Sequence, residues 1–229
     1  MLKKHLLFTI TYLIVLGLNV FATAFNNEVL KMVAMPLIGM SSILYLVIMT
    51  RLKNTFSIKV FFSLMFAMGG DVMLMFNTGT EFLFLIAIIA TFSGYVLIVL
   101  SCYEDWSERA LLHIKPVLYI NILLFAVGLA YYFYLSKYLG EYKIPVIIHF
   151  FILLLLPISA SLRYRKVNSR SFRLIIGSVI CFSLSDYSIA YNSFIHEHTF
   201  LMVLYILAYL MAQYMLVIGT IERKVFKSR

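Results

Sequence analysis

Charged side chains are scarce in this sequence of 229 residues. Only 13% of the residues are Asp, Glu, Lys or Arg, whereas 63% are apolar or aromatic, and the mean hydropathy is +0.97. A typical soluble domain carries about 25% charged residues, so this chain has too few of them to solvate a globular surface. The scarcity excludes a soluble protein with an apolar core and predicts a chain that lies in a lipid bilayer.

Cysteine is also scarce, with only Cys102 and Cys181 in the whole sequence. Two isolated cysteines form neither a metal-ligand motif nor a disulfide framework, and we interpret both as small apolar core residues. The sequence contains no low-complexity segment and no interdomain linker. It therefore predicts a single transmembrane domain over residues 1–229.

The sequence instead contains long apolar runs. A membrane-spanning helix needs roughly 20 mostly apolar residues, and eight such windows follow one another with short connectors. They cover residues 5–25, 30–49, 56–76, 80–102, 116–135, 144–162, 172–192 and 199–220. The predicted fold class is all-α: a polytopic membrane helix bundle of about eight transmembrane helices.

The first window also resembles a secretory signal peptide. Lys3 and Lys4 precede it, and Ala22-Thr23-Ala24 resembles a cleavage site. The apolar run is about 20 residues long, which exceeds the 7–15 residues typical of a signal peptide. We therefore expect residues 1–24 to form an uncleaved anchor.

The net charge of +9 is distributed unevenly along the windows. If the N-terminus is cytoplasmic, sixteen of the nineteen basic residues fall on the cytoplasmic side, and only Lys31, Lys137 and Lys143 fall outside. The sixteen are Lys3, Lys4, Arg51, Lys53, Lys59, Arg109, Lys115, Arg163, Arg165, Lys166, Arg170, Arg173, Arg223, Lys224, Lys227 and Arg229. This positive-inside pattern predicts that both termini are cytoplasmic.

The distribution of basic residues also indicates which partners the protein has and where it lies. Basic residues beside a membrane attract anionic lipid headgroups, so we expect membrane lipids as partners and no nucleic acid. The expected location is a multi-pass position in the membrane, which is the inner membrane if the source is bacterial. The sequence makes no prediction of oligomeric state.

Three ionisable side chains fall inside the predicted spans: Asp71, His149 and Asp186. Such groups are costly in lipid and usually face the interior of a bundle. With the third and seventh spans running outward and the sixth returning, all three lie about 7–9 Å below the outer surface. Small residues precede both aspartates, which permits close helix packing. We predict a buried acidic site, although a lone aspartate or histidine could equally be a hydrogen-bonded core residue.

Two carboxylates in a low dielectric cannot both ionise easily, so one acid and one base result. This arrangement suits hydrolysis through an oxocarbenium-like state, as in glycosidases. It would equally suit a proton or cation pathway. With His149, His196 or His198 it could hold a zinc-activated water. The residues alone leave these alternatives open; we predict no cofactor and leave metal dependence open.

Three short motifs together resemble the YhhN family, whose eukaryotic members are lysoplasmalogenases. They are Gly70-Asp71 in the third span, Phe182-Ser-Leu-Ser185-Asp186 in the seventh and Tyr209-Leu-Met-Ala-Gln213-Tyr in the eighth. The resemblance covers essentially the whole chain. It implies hydrolysis of the vinyl ether bond of a lysophospholipid, the lysoplasmalogen, to a fatty aldehyde and a glycerophospho-alcohol.

The resemblance also implies roles for single residues. Asp71 and Asp186 match the two intramembrane aspartates of the family and are the expected catalytic pair. The candidate substrate-binding residues are Lys31, Gly70, Ser185, Tyr209, Gln213 and His149. Lys31 could pair with a phosphate or could be an ordinary interfacial lysine.

The chain departs from the family pattern at two places. Lys31 is followed by Met32 instead of proline, and the fourth-span segment Thr91–Tyr95 lacks the histidine that many members carry. His149 on the sixth span is a candidate substitute. Two further functions stay open: a transporter or proton- or cation-coupled permease that uses both aspartates, and a non-catalytic lipid-binding protein. A transporter would favour paired Gly/Pro interruptions, and Gly69-Gly70 has no counterpart in the seventh span.

Overall fold

The protein is described by a computed structural model that covers residues 2–75, 81–106 and 115–226. Within these ranges the chain forms eight α-helices and one short 3-10 turn, Gly140–Tyr142. The helices are α1 (Leu2–Ala24), α2 (Glu28–Thr50), α3 (Thr55–Met75), α4 (Glu81–Tyr103), α5 (Lys115–Leu135), α6 (Lys143–Ser161), α7 (Ser169–Phe194) and α8 (Thr199–Ile221). The predicted all-α class is confirmed.

Seven of these helices are long and apolar enough to cross a membrane, and the exception within the described ranges is α5. Its apolar portion, Asn121–Leu135, is shorter than the other spans. Every predicted window agrees with a helix to within three residues at each end. Residues 76 and 80, the ends of two windows, lie outside the described ranges, as do Arg109, Lys227 and Arg229.

Short connectors between the first helices reverse the chain sharply. Asn26 has a positive φ of 50°, and the Asn27 side chain then accepts a hydrogen bond from the Leu30 amide at the start of α2. Arg51 ends α2 with a φ of 50°, and its amide donates to the Val47 carbonyl. Links this short leave successive helices antiparallel, as a bundle of membrane spans requires.

The central helix of the bundle is α8. It packs against α1, α2, α3 and α7, and residues such as Tyr209 and Gln213 on it are buried. α3 packs closely on α4, and α6 contacts α4, α5 and α7. Helices α3 and α7 therefore both pack on α8, and α6 packs on α7.

The first and last helices meet at one face of the bundle. Lys4 Nζ lies 2.7 Å from Glu222 Oε1, so the start of α1 and the residue after α8 lie together. Other basic residues predicted for one side contact acids at this same face, including Lys59 with Glu104 and Arg223 with Asp105. That this face is cytoplasmic stays a prediction from the charge pattern.

Arg163 differs from the loop residue that the charge pattern suggests, because its side chain is fully buried. Its Nε donates to Asp105 Oδ2 across 3.0 Å, and the same oxygen accepts from Arg223 Nε across 2.8 Å. The Phe56 ring lies beneath both guanidinium groups, 4.8 and 4.6 Å from their carbons. A buried cationic cluster thus joins the ends of α3, α4, α6 and α8.

Candidate active site

The two aspartates line one apolar cavity in the bundle. Asp71 belongs to the last turns of α3, and Asp186 lies eight residues before the end of α7. The space between them has a cavity volume of about 140 Å³ and is walled mostly by aromatic and aliphatic side chains of α4, α5, α6 and α7. We call it the apolar cavity; its walls include Phe84, Tyr132, Phe150 and Leu153.

Asp186 is held by two neighbouring helices. The Tyr95 hydroxyl of α4 donates to Asp186 Oδ1 across 2.9 Å, and His149 Nε2 of α6 lies 2.8 Å from Asp186 Oδ2. The side chains of His149 and Asp186 are only 19% and 12% exposed. Both oxygens of this carboxylate are therefore engaged by protein groups at the cavity wall.

Asp71 has a simpler environment. The Tyr209 hydroxyl of α8 donates to Asp71 Oδ2 across 2.7 Å. Asp71 also lines a second, adjoining cavity together with Asn19, Thr23 and Lys31, which we call the Lys31 cavity. This aspartate thus lies at the junction of an apolar space and a more polar one.

The structure brings four of the predicted site residues together: Asp71, Asp186, His149 and Tyr209 all line the apolar cavity. Two of them, His149 and Asp186, are in direct contact. His149 also lies beside Tyr95 of α4, with the ring centroids 5.5 Å apart. That His149 substitutes for the histidine missing from the fourth span stays a prediction. The roles of these residues stay predictions.

Three other predicted residues lie in helix packing and line neither cavity. A Cβ atom on Gly70 would lie 3.0 Å from Thr91 Oγ1 and 3.2 Å from the Ala87 carbonyl, so this glycine lets α3 approach α4. Ser185 and Gln213 are almost completely buried; Ser185 Oγ and Gln213 Oε1 have no partner among the described residues. Adjacent helical residues point about 100° apart, which explains why Gly70 and Ser185 do not share the direction of their aspartates.

Lys31 faces the Lys31 cavity from α2. Its ammonium group lies 2.9 Å from Glu28 Oε1 one turn earlier, and the lysine side chain is 25% exposed. It is the one lysine or arginine that lines either of these two cavities within the described part of the chain. Lys31 and Asp71 thus line one cavity, and the role of Lys31 in binding a phosphate stays a prediction.

Sequence reasoning missed the specific partners of the carboxylates. The sequence does not single out Tyr95, and in the structure its hydroxyl donates to Asp186 Oδ1. The sequence holds sixteen tyrosines, and nothing in their spacing distinguishes Tyr95 or Tyr209 as donors. The only usable signal was that a buried carboxylate must find donors somewhere.

The histidines proposed to hold a zinc-activated water do not lie together in the structure. His196 and His198 are exposed in the connector between α7 and α8, and neither lines the apolar cavity. Among residues 2–75, 81–106 and 115–226, no group of three or more His, Cys, Asp or Glu side chains is arranged to hold a metal ion. His149 engages Asp186 instead.

The fold and the cavity define a polytopic membrane protein with a pair of carboxylates inside its helical bundle. The model of the YhhN family matches residues 29–220, and the chain belongs to this family. Searches among curated proteins and among solved structures returned no match.

Proposed function

We propose that this protein is an intramembrane lipid hydrolase that cleaves the vinyl ether bond of lysoplasmalogens, releasing a fatty aldehyde and a glycerophospho-alcohol. The observation that carries the proposal is the pair of carboxylates, Asp71 and Asp186, on the wall of one apolar cavity. Membership of the YhhN family is compatible with such an activity.

The chemistry of a vinyl ether fits this pair. Hydrolysis begins with protonation of the carbon beta to the ether oxygen, which produces an oxocarbenium ion that water attacks. A protonated carboxyl group supplies the proton, and an ionised one stabilises the cation and orients the water. Two aspartates in one water-poor cavity provide both forms.

The apolar cavity suits a single hydrocarbon chain. Phe84, Tyr132, Phe150 and Leu153 supply apolar surface along its wall. Ligand sites typically combine such surface with a few polar groups that fix orientation, and here the polar groups are the carboxylates. A lipid with one tail would place its reactive bond at the aspartates and its headgroup beyond them.

The Lys31 cavity offers the matching place for the headgroup. It adjoins the apolar cavity at Asp71 and carries a lysine beside the buried polar side chains Asn19 and Thr23. An ammonium group can bind a phosphate through charge-assisted hydrogen bonds. The two cavities together therefore accommodate an amphipathic, single-chain phospholipid.

The test is aldehyde release by the purified full-length protein from a lysoplasmalogen. We expect wild-type activity, and a loss of about 10³-fold or more in both Asp71→Asn and Asp186→Asn. Glu197→Gln is the matched control, because this exposed acid lies outside both cavities. The saturated alkyl-ether analogue should be inert, since it has no double bond to protonate.

Two results would overturn the proposal. Full activity in either aspartate variant would remove the two-carboxylate mechanism. Absence of aldehyde from wild-type protein across a panel of vinyl ether lipids, with and without a chelator, would remove the reaction itself and leave transport or lipid binding.

A further inference from the structure

The two carboxylates differ in the number of groups that donate to them. Asp186 accepts at Oδ1 from Tyr95 and contacts His149 Nε2 at Oδ2, whereas Asp71 accepts from Tyr209 alone among the described residues. A hydrogen bond donated to a carboxylate favours its ionised form. This asymmetry favours negative charge on Asp186 over Asp71.

The buried ring nitrogen of His149 determines the direction of its bond to Asp186. Nδ1 is buried and has no partner among the described residues. A proton on Nδ1 would be a buried, unpaired donor, which is costly. The neutral ring with its proton on Nε2 leaves Nδ1 as an unpaired acceptor instead, and buried unpaired acceptors are better tolerated than unpaired N–H groups. We therefore assign Nε2 as the donor and Asp186 Oδ2 as the acceptor.

The other titratable groups that line the apolar cavity or contact the two aspartates are tyrosines. Besides the aspartates and His149, they are Tyr95 of α4, Tyr131 and Tyr132 of α5, Tyr187 of α7, and Tyr205 and Tyr209 of α8. No Lys or Arg lines the apolar cavity within the described ranges. His149 is thus the one nitrogen donor at the cavity wall, and it lies on Asp186.

Resting on the proposed function, we propose that Asp186 is the ionised member of the pair, that Asp71 is the protonated one, and that His149 is the positioning residue that fixes this order. Asp71 then gives its proton to the vinyl carbon, and the π electrons form the new C–H bond. Water attacks the resulting oxocarbenium carbon and passes a proton to Asp186.

The hemiacetal formed in this way collapses with the roles reversed. Asp186 returns its proton to the ether oxygen, which leaves with the electron pair of the C–O bond as the alcohol. The hemiacetal hydroxyl gives its proton to Asp71 as the carbonyl forms. One water is consumed, both carboxyl groups return to their starting states, and His149 keeps its proton on Nε2 throughout.

Infrared spectroscopy of the full-length protein in detergent tests the assignment without depending on activity. A protonated carboxylic acid has a carbonyl stretch well above the amide band. We expect wild-type protein at neutral pH to show this stretch, Asp71→Asn to lose it and Asp186→Asn to keep it. Loss in Asp186→Asn instead, or no such stretch in the wild type, would overturn the assignment.

The role of His149 is tested by two replacements of different chemistry. His149→Gln keeps an N–H donor for Asp186, whereas His149→Leu removes it. We expect kcat to fall about 100-fold in the leucine variant with little change in KM, and glutamine to restore most of that loss. His196→Leu controls for loss of a histidine outside the cavity, and thermal unfolding reports whether each variant folds.

The outcomes separate this inference from the proposed function. If wild-type protein releases aldehyde and both His149 variants match it, the positioning role fails while the proposed function stands. If glutamine is as inactive as leucine in a folded protein, a donor alone is not sufficient, and the positioning role is again overturned. If the wild type releases no aldehyde, the proposed function fails, and the infrared result still decides which aspartate holds the proton.

Discussion

The Tyr209 hydroxyl donates to Asp71 Oδ2 across 2.7 Å, which ties the central helix α8 to the carboxylate of α3. Because this bond orients the acid, we expect Tyr209→Phe to lower kcat/KM for lysoplasmalogen by about 10- to 100-fold. The measurement is the initial rate of aldehyde release.

Tyr205→Phe is the matched control for this change. Tyr205 lines the same cavity and stacks on Tyr209, with centroids 5.9 Å apart, but makes no hydrogen bond to either aspartate. It should lose little activity. Equal losses in both variants would show that the ring surface matters and the Tyr209 hydroxyl does not.

Two adjacent glycines of α3 should respond oppositely to alanine. At Gly70 the new methyl group would lie 3.2 Å from the Ala87 carbonyl, a backbone atom that cannot move aside. We expect Gly70→Ala to lower the free energy of unfolding by about 1–3 kcal/mol through overpacking. Because Asp71 follows directly, aldehyde release should fall as well.

At Gly69 nothing lies within 4 Å of the added methyl group. Gly69→Ala should therefore be neutral or stabilising by up to about 1 kcal/mol, since alanine favours the helix. Thermal unfolding of both variants in the same detergent gives the comparison. A destabilised Gly69→Ala beside an unchanged Gly70→Ala would contradict the packing of α3 on α4.

The buried ion pairs of Asp105 should contribute strongly to the free energy of unfolding. Asp105→Asn removes the charge that both Arg163 and Arg223 contact. Leaving buried guanidinium groups uncompensated costs about 3–5 kcal/mol. The expected result is a large fall in the unfolding temperature.

Glu104→Gln provides the neighbouring comparison. Glu104 pairs with Lys59, but the two side chains are 26% and 27% exposed. Partly exposed ion pairs contribute at most about 1 kcal/mol, so this variant should unfold close to the wild type. Similar losses at positions 104 and 105 would argue that burial is not the cause.

Glu222 gives the contact between α1 and α8 a defined pH dependence. The hydrogen bond from Lys4 lowers the pKa of Glu222 from 4.5 to about 2, with further help from His5. A lowered pKa means that stabilisation is fully present above pH 4.5 and is lost as the pH falls toward about 2. Because Lys4 is 55% exposed, solvent limits this contribution to about 1 kcal/mol.

The check is the difference in stability between wild type and Glu222→Gln measured across that range. It should be constant at neutral pH and should shrink as the medium is acidified below pH 4.5. A difference that grows on acidification would show that the carboxylate does not stabilise the contact.

The spans could be predicted from hydropathy alone. The grouping of Asp71, Asp186 and His149 could be predicted from their positions along those spans. Length and apolarity define a membrane helix, and counting residues from its end gives the level of a charge. The direction of a side chain around the helix depends on crossing angles, which single windows do not contain. For that reason the sequence does not show that Gly70, Ser185 and Gln213 pack between helices.

The same limit applies to the burial of Arg163. Its position just after an apolar run is typical of a solvated loop residue, but Asp105 and Arg223 approach from distant parts of the sequence and enclose it. Long-range partners of this kind leave no local pattern. In the same way, the sequence does not show which of its many tyrosines donate to the aspartates, as Tyr95 and Tyr209 do.

The position of Asp71 between the apolar cavity and the Lys31 cavity has a consequence for what happens after the bond breaks. In the proposed reaction the two fragments are released on opposite sides of that aspartate. The aldehyde would then remain on the hydrocarbon side of Asp71. The water-soluble fragment departs past Lys31, so neither fragment has to pass the other before the next lipid binds.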